Sequence, residues 1–486
     1  MFRTYFSIVT TIACIGLVSS CNSQTTVKPN AFEKVDGYHG IWYANQPSGD
    51  DYVYKYSGGL GTYTADHIPL AYYSPKVNRT FFCWGGVRAG ENNLLPMISY
   101  YDHATGTVPR PTILIDKQTD DAHDNPTIML DDDGHVWAFV SAHGTARSAY
   151  IFRSTEPYEV DSFDCISETN FSYPQPWHIP GKGFIFLHTR YLGGRFLYWM
   201  TSRDGVTWTE PRQLSAVAQG HYQVSWPFKD KVGTAFNYHP STLASNWDDP
   251  GRDSDANAKL NGLNFRTNVY YLETPDMGAT WQTAAGERVS TPLTEIHNTA
   301  LVHDYESERL LVYINDINYD REGNPVILYI TSKGYEAGPA NGPRTWTTAH
   351  WTGSEWRVRP VTVSDNNYDM GSLYIDDDGA WRVIGPTEQG PQQYNPGGEV
   401  AVWVSRDNGE TWEKTRQITS GSPYNHSYVR RPVNAHSDFY GFWADGHGRE
   451  PSPSRLYFCD KTGEKAFMLP EKMDGEKAKP IALKNE

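Results

Sequence analysis

Apolar and polar positions along this chain recur in one repeated shape, plainest between Asp121 and His143. Thr127 to Leu130 is an apolar run, Asp131 to Gly134 is a polar cluster ending in glycine, and His135 to Val140 alternates. That order predicts a β-hairpin, because period-two alternation suits a strand and Asp-Gly supplies the positive φ that a tight turn needs. The hairpin brings His123 and His143 to one open end. Similar units start near His67, His123, Tyr173, His221, His297, Asp369 and His426, each running through a turn into a second strand. Starts separated by roughly 50 to 75 residues match the length of a four-stranded propeller blade with its loops. Seven such units predict an all-β fold, a seven-bladed β-propeller with four-stranded antiparallel blades.

A second mark lies in the outer half of three units: Ser202-Arg-Asp-Gly-Val-Thr-Trp208, Thr274-Pro-Asp-Met-Gly-Ala-Thr-Trp281 and Ser405-Arg-Asp-Asn-Gly-Glu-Thr-Trp412. These resemble the Asp-box turn of sialidase-like propellers, in which Asp closes the turn through local backbone bonds, Gly takes the left-handed conformation and Trp packs between blades. The box is structural, so it supports the fold and assigns no activity. No long Pro- or Ser-rich linker breaks the chain. One catalytic propeller is therefore expected over residues 36–470, preceded by a leader at 1–21 and a linker at 22–35 and followed by a charged, mobile tail at 471–486.

Composition agrees with this pattern: aromatics make up 14% of residues and Gly and Pro are plentiful, which suits many short strands and tight turns. At the N-terminus Arg3, the short apolar run Ile8 to Val18 and Val18-Ser-Ser-Cys21 resemble a lipoprotein leader with Cys21 as the lipidated residue. The run is too short to span a bilayer as a permanent helix. The expected product is exported, as an outer-membrane lipoprotein at the cell surface or in the periplasm, or secreted. Outside the leader only Cys83, Cys165 and Cys459 are left, so at most one disulfide can form and the fold is no disulfide scaffold. A formal charge of −15 argues against nucleic acid as partner, although a site can be locally basic on an acidic body.

In a propeller the residues that open each first strand and close each second strand converge on one end of the central channel. That reasoning gathers His123, His143, Tyr173, Arg190, His221, Tyr222, Tyr238, His239, His297, Asn315, Asp316 and Glu388 around one funnel. Glycoside hydrolysis calls for two carboxyl groups flanking the sugar, and here the acids are scattered. His and Tyr beside Arg suit instead a β-elimination, in which a base removes the proton α to a uronate carboxylate, an acid protonates the leaving oxygen, and Arg neutralises the carboxylate. No metal is expected to perform the chemistry. His297 with Asn315 and Asp316, or His436 with His447 and Cys459, would supply ligands for a structural ion, though neither set has the spacing of a known metal motif.

The motifs His123-Asp-Asn-Pro126, Ser141-Ala-His-Gly144, Tyr173-Pro-Gln175 with Arg190 closing the next strand, and the closing run from Arg430 to Asp445 resemble the short ulvan lyases of polysaccharide lyase family 25 across the mature chain. That resemblance implies a BNR-type propeller that cleaves ulvan, the acidic sulfated rhamnose and uronic acid polysaccharide of green algae, by elimination rather than hydrolysis. It carries the catalytic roles onto His123, His143, Tyr173 and Arg190, with His123 or Tyr173 as base. Substrate binding falls to Asn125, Tyr238, His239, Tyr222 and His221; Tyr222 and Tyr191 compete for the tyrosine roles, and Tyr173 ranks ahead of Tyr191 because it opens a blade strand while Tyr191 falls just past Arg190. The expected state is a monomer, touching membrane only through its anchor. Two other functions compete: a sialidase-like hydrolase, suggested by the Asp-boxes, and a non-catalytic surface propeller that binds glycans.

Overall fold

Alternating apolar positions pair into seven antiparallel sheets set as blades around one axis in the computed structural model, which describes residues 32–60, 66–192, 194–217, 222–239 and 265–483. The innermost strands are Ala71–Ser74, Pro126–Leu130, Ser172–Ile179, Gln223–Phe228, Leu311–Tyr319, Ser372–Ile375 and Asn425–Arg430. Each pairs outward with the strands that follow it in sequence. Six of the seven expected starts fall beside an innermost strand. The fifth does not: Leu301–His303, which follows His297, pairs with Thr267–Thr274 of the fourth blade. The fifth blade opens at Leu311 instead, on a strand buried at almost every position, as one flanked by neighbouring blades must be.

Asp-box chemistry holds the outer turns. Asp204 accepts from the backbone nitrogens of Val206 and Thr207 at 2.9 and 2.7 Å, and Asp407 accepts from Thr411 N at 2.9 Å. Gly205 has φ 73°, and a Cβ there would meet the Trp137 ring at 2.4 Å, so glycine is needed for both conformation and approach. Aromatics fill the seams between blades, for example Trp177 on Trp226 at 5.0 Å and Trp199 on Trp281 at 5.3 Å. Cys83 and Cys459 are buried, Cys165 is exposed, and all three are free thiols.

The ring closes between the last and first blades without a covalent link. Val433 and the first innermost strand exchange backbone bonds at 2.9 Å, Tyr73 N to Val433 O and Val433 N to Ala71 O. Chain ends reinforce this seam: Val35 N bonds Pro111 O, Tyr38 N bonds Pro470 O, Lys477 pairs with Pro109, and Ile481 pairs with Met468. The segment after 470 is thus tied into two blades up to Ala482 rather than hanging free as a tail. Cys21 and the rest of the leader lie outside the described residues.

Candidate active site

The short turn Ala122–Asp124 leads into the second blade, and Asp121 caps it by accepting from His123 N at 3.0 Å. The same carboxylate meets His123 Nδ1 at 2.5 Å through Oδ1 and His143 Nδ1 at 2.7 Å through Oδ2. An ionised carboxylate only accepts, so both imidazoles present Nδ1–H to it, and in the neutral form of either ring the lone pair is then on Nε2. The rings stack 3.7 Å apart and 10° from parallel. Arg147 braces the unit, donating to Asp121 at 2.8 Å and to Asp124 at 2.7 Å, with Lys117 3.2 Å from Asp124. Burial works to raise the Asp121 carboxyl, yet the bonds from His123 and His143 outweigh it and hold the group far below the usual carboxylate range. Burial pushes His123 down, against the opposing pull of Asp121. The His143 side chain is 41% exposed and that of His123 only 4%, so His143 is the imidazole at the surface of the site.

Beside this unit stands a cluster of tyrosines and arginines. Tyr173 sits at a bulge opening the third blade, with φ 53°, and its ring meets the edges of His123 at 5.7 Å, His67 at 5.3 Å and Tyr222 at 5.4 Å. A tyrosine held in the left-handed region is costly, and such strain gathers at functional sites. Tyr191 and Arg195 face each other directly across the next hairpin, and the Tyr191 ring lies 5.9 Å from His143. Arg195 donates to Tyr222 Oη at 2.8 Å and to His239 Nδ1 at 3.3 Å. Arg195 and Arg266 lie over the Tyr222 ring at 4.3 and 3.9 Å. Burial would raise the Tyr222 phenol, but these two cations outweigh it and bring it below its ordinary value. Tyr191 goes the other way, raised by burial and so protonated.

The fold gathers His123, His143, Tyr173, Tyr222 and His239 into one cluster, as the sequence leads one to expect, and sets six other expected members apart from it. Arg190 pairs with Phe196 while its neighbour Tyr191 pairs with Arg195, and successive strand residues point to opposite faces, so Arg190 turns from the cluster toward His188. By the same parity His239 enters the site, whereas Tyr238 faces the blade interior, donates to Glu306 and is raised by burial and that carboxylate. Asn125 is wholly buried, donates to Ala122 O and packs against Gly85. His221 lies outside the described residues. Asp316 is bonded to Arg431, Glu388 pairs with Lys414 and His297 is exposed on a surface turn, so none of these joins the cluster. Asp121, Arg195 and Arg266 were missed. The run Tyr191-Leu-Gly-Gly-Arg195 held a signal, since a glycine-rich turn between two strands sets its flanking residues on one face.

Histidine burial also sets acid stability. His67 and His188 are both pushed down to about 3, chiefly by burial, from the 6.5 of a free imidazole. Between those values the unfolded chain binds protons that the fold rejects, so stability is lost as pH falls from about 6.5 toward 3, at about 1.4 kcal/mol per pH unit for each group. The urea midpoint is expected to drop steadily between pH 6.5 and 4.5, and His188→Gln to flatten that slope. A slope unchanged in the variant would contradict this assignment.

A cleft of about 820 Å³ opens beside Asp121, lined by Trp42, Tyr43, Asn45, Tyr54 and Asn92 among others. The sequence profile of the BNR repeat-containing family matches residues 98–364. The chain belongs to this family. Among curated relatives of this BNR-repeat chain, an ulvan lyase of Nonlabens ulvanivorans is 24% identical over 332 residues, covering 62% of this chain and 66% of its own length. An ulvan lyase of polysaccharide lyase family 25 from Pseudoalteromonas sp. (strain PLSV) is 21% identical over 449 residues, 84% of this chain and 83% of its own. The BNR-repeat fold also aligns with a solved family 25 ulvan lyase bound to -[GlcA(1-4)Rha3S]-, with a TM-score of 0.66 at 17% identity, over 88% of this chain and 96% of that one.

Proposed function

We propose that this chain is an ulvan lyase, a polysaccharide lyase that cleaves the bond to a uronic acid by β-elimination. One observation carries the reading: Arg195 and Tyr191 face each other across one hairpin and stand beside the His143 that Asp121 orients. Relatives named ulvan lyases, and a solved one bound to a glucuronate–rhamnose sulfate chain, support the substrate class. In this reading the uronate carboxylate pairs with Arg195, whose Nε is buried with no acceptor among the described residues. Neutralising the carboxylate lets it accept the charge that develops as the C5 proton departs. His143 Nε2 takes that proton, the C5–H electrons form the C4–C5 double bond, and the C4–O bond breaks. Tyr191, held protonated by burial, gives its proton to the leaving oxygen. Solvent then returns the proton from His143 to Tyr191. His123 and Tyr173, the pair from which sequence alone draws its base, stand one layer further in and hold the reacting pair in position.

The test is to incubate the purified protein with ulvan and with other uronate polymers. The expected result is a rise in ultraviolet absorbance from a conjugated unsaturated uronate, with ulvan preferred. New reducing ends without absorbance would mean hydrolysis, and binding without either would mean a lectin. We also propose that the protein is exported through its leader, is anchored through lipidated Cys21 and acts as a monomer. Cys21→Ala is expected to move it from the membrane fraction to the soluble one, and retention in the membrane would refute the anchor.

A further inference from the structure

A second cluster of metal-ligating side chains lies at the opposite end of the ring from the imidazole pair. The innermost strands of the first and last blades run from the active-site end to the far end, where their turns hold His103 on one side and His436 and Asp438 on the other. Sequence spacing grouped His436 with His447 and Cys459. In the fold His447 instead lies near Glu450, Cys459 is buried in its strand, and His436 meets His103 with ring centroids 3.9 Å apart. One ring nitrogen from each imidazole and one Asp438 oxygen lie within 4.8 Å of one another.

We infer that this cluster is a divalent transition-metal site, most suited to Zn²⁺, that clasps the seam between the first and last blades. Three observations converge. His103 Nε2 lies 2.8 Å from the hydroxyl of Thr80, and in the tautomer in which that hydroxyl accepts, Nδ1 is the lone pair that faces His436 and Asp438. Metal-bound histidines are oriented by such a bond on their other nitrogen. That Nδ1 is buried and has no hydrogen-bond partner among the described residues, a state most buried polar atoms avoid and one a bound ion would relieve. The third ligand, Asp438, has a side chain 67% exposed, so an ion has an entry path and room for a water as fourth ligand. Two imidazoles, a carboxylate and a water supply the four donors that Zn²⁺ takes. Tyr73, whose backbone bonds Val433 across the seam, packs on both rings at 5.3 and 4.8 Å and fixes their approach. The bound ion would close a loop spanning most of the chain, so its effect falls on stability of the closed ring.

The test is zinc titration by calorimetry together with thermal unfolding, using the full-length protein stripped of metal. The expected result is one equivalent bound at this site and a midpoint raised by several degrees when Zn²⁺ exceeds Kd about 100-fold. His436→Ala should remove both. Asp438→Asn, at an exposed position that cannot disturb the core, should weaken binding at least tenfold with the metal-free midpoint unchanged. Because Asp121, His123 and His143 also bring three donors together, His143→Ala serves as control and should keep the thermal shift. No zinc binding, or equal binding and shift in wild type, His436→Ala and Asp438→Asn, would overturn the site. Neither readout depends on lyase activity, so a failure here is distinct from a failure of the proposed function.

Discussion

Replacing Arg195 with Ala is expected to lower kcat/KM on ulvan by about 10³-fold with the fold intact, while Arg190→Ala stays within about threefold of wild type. The contrast is sharp because the two arginines are close in sequence and differ in strand face. Arg195 is bonded to Tyr222 and His239 and stands opposite Tyr191, and in the proposed mechanism it pairs with the substrate carboxylate. Arg190 stands opposite Phe196 and beside His188. Arg195→Lys keeps the charge but loses the planar fork, so it should recover only part of the activity. Near-UV circular dichroism of each variant checks the fold, since Arg195 also packs on the Tyr222 ring. Full activity in Arg195→Ala, or a collapse in Arg190→Ala, would reverse the assignment.

Asp121→Asn is expected to cost about 10³- to 10⁴-fold in kcat with KM little changed, by analogy with losing the tautomer-setting carboxylate of a catalytic triad. The carboxylate accepts from both imidazole Nδ1 atoms, one on each oxygen. An amide has one accepting oxygen and one donating nitrogen, so at least one imidazole must reverse its tautomer and turn an N–H toward the site. Arg147 keeps its two bonds to Asp124, which limits the structural damage. Because Asp121 in the wild type stays ionised far below the ordinary carboxylate range, its own titration cannot shape the acidic side of the wild-type activity profile. Asp121→Asn with near-normal kcat would show that imidazole orientation does not limit the reaction.

The hydropathy pattern, the Asp-Gly turns and the Asp-boxes were enough to read seven blades and to set His123 and His143 at one mouth. Strand period and turn chemistry are properties of a few adjacent residues, and they act the same way wherever the segment lies. The fifth blade was misread because Leu301–His303 has a strand's pattern but joins an edge, and only burial on both faces distinguishes an innermost strand.

What sequence by itself determined, then, is the repeated hairpin, the ring it implies and the first imidazole pair, all set by local alternation and by glycines with positive φ. Tertiary structure alone decided that Asp121 bridges the two rings, that Tyr191 and Arg195 rather than Arg190 face the mouth, and that Tyr238 turns inward while His239 turns toward the site. It also decided that His103 and His436, far apart along the chain, share one seam. The physical reason is common to all of these: a one-residue step reverses a side chain's face, and ring closure makes neighbours of residues from opposite ends, and neither is fixed by the residues nearby in sequence.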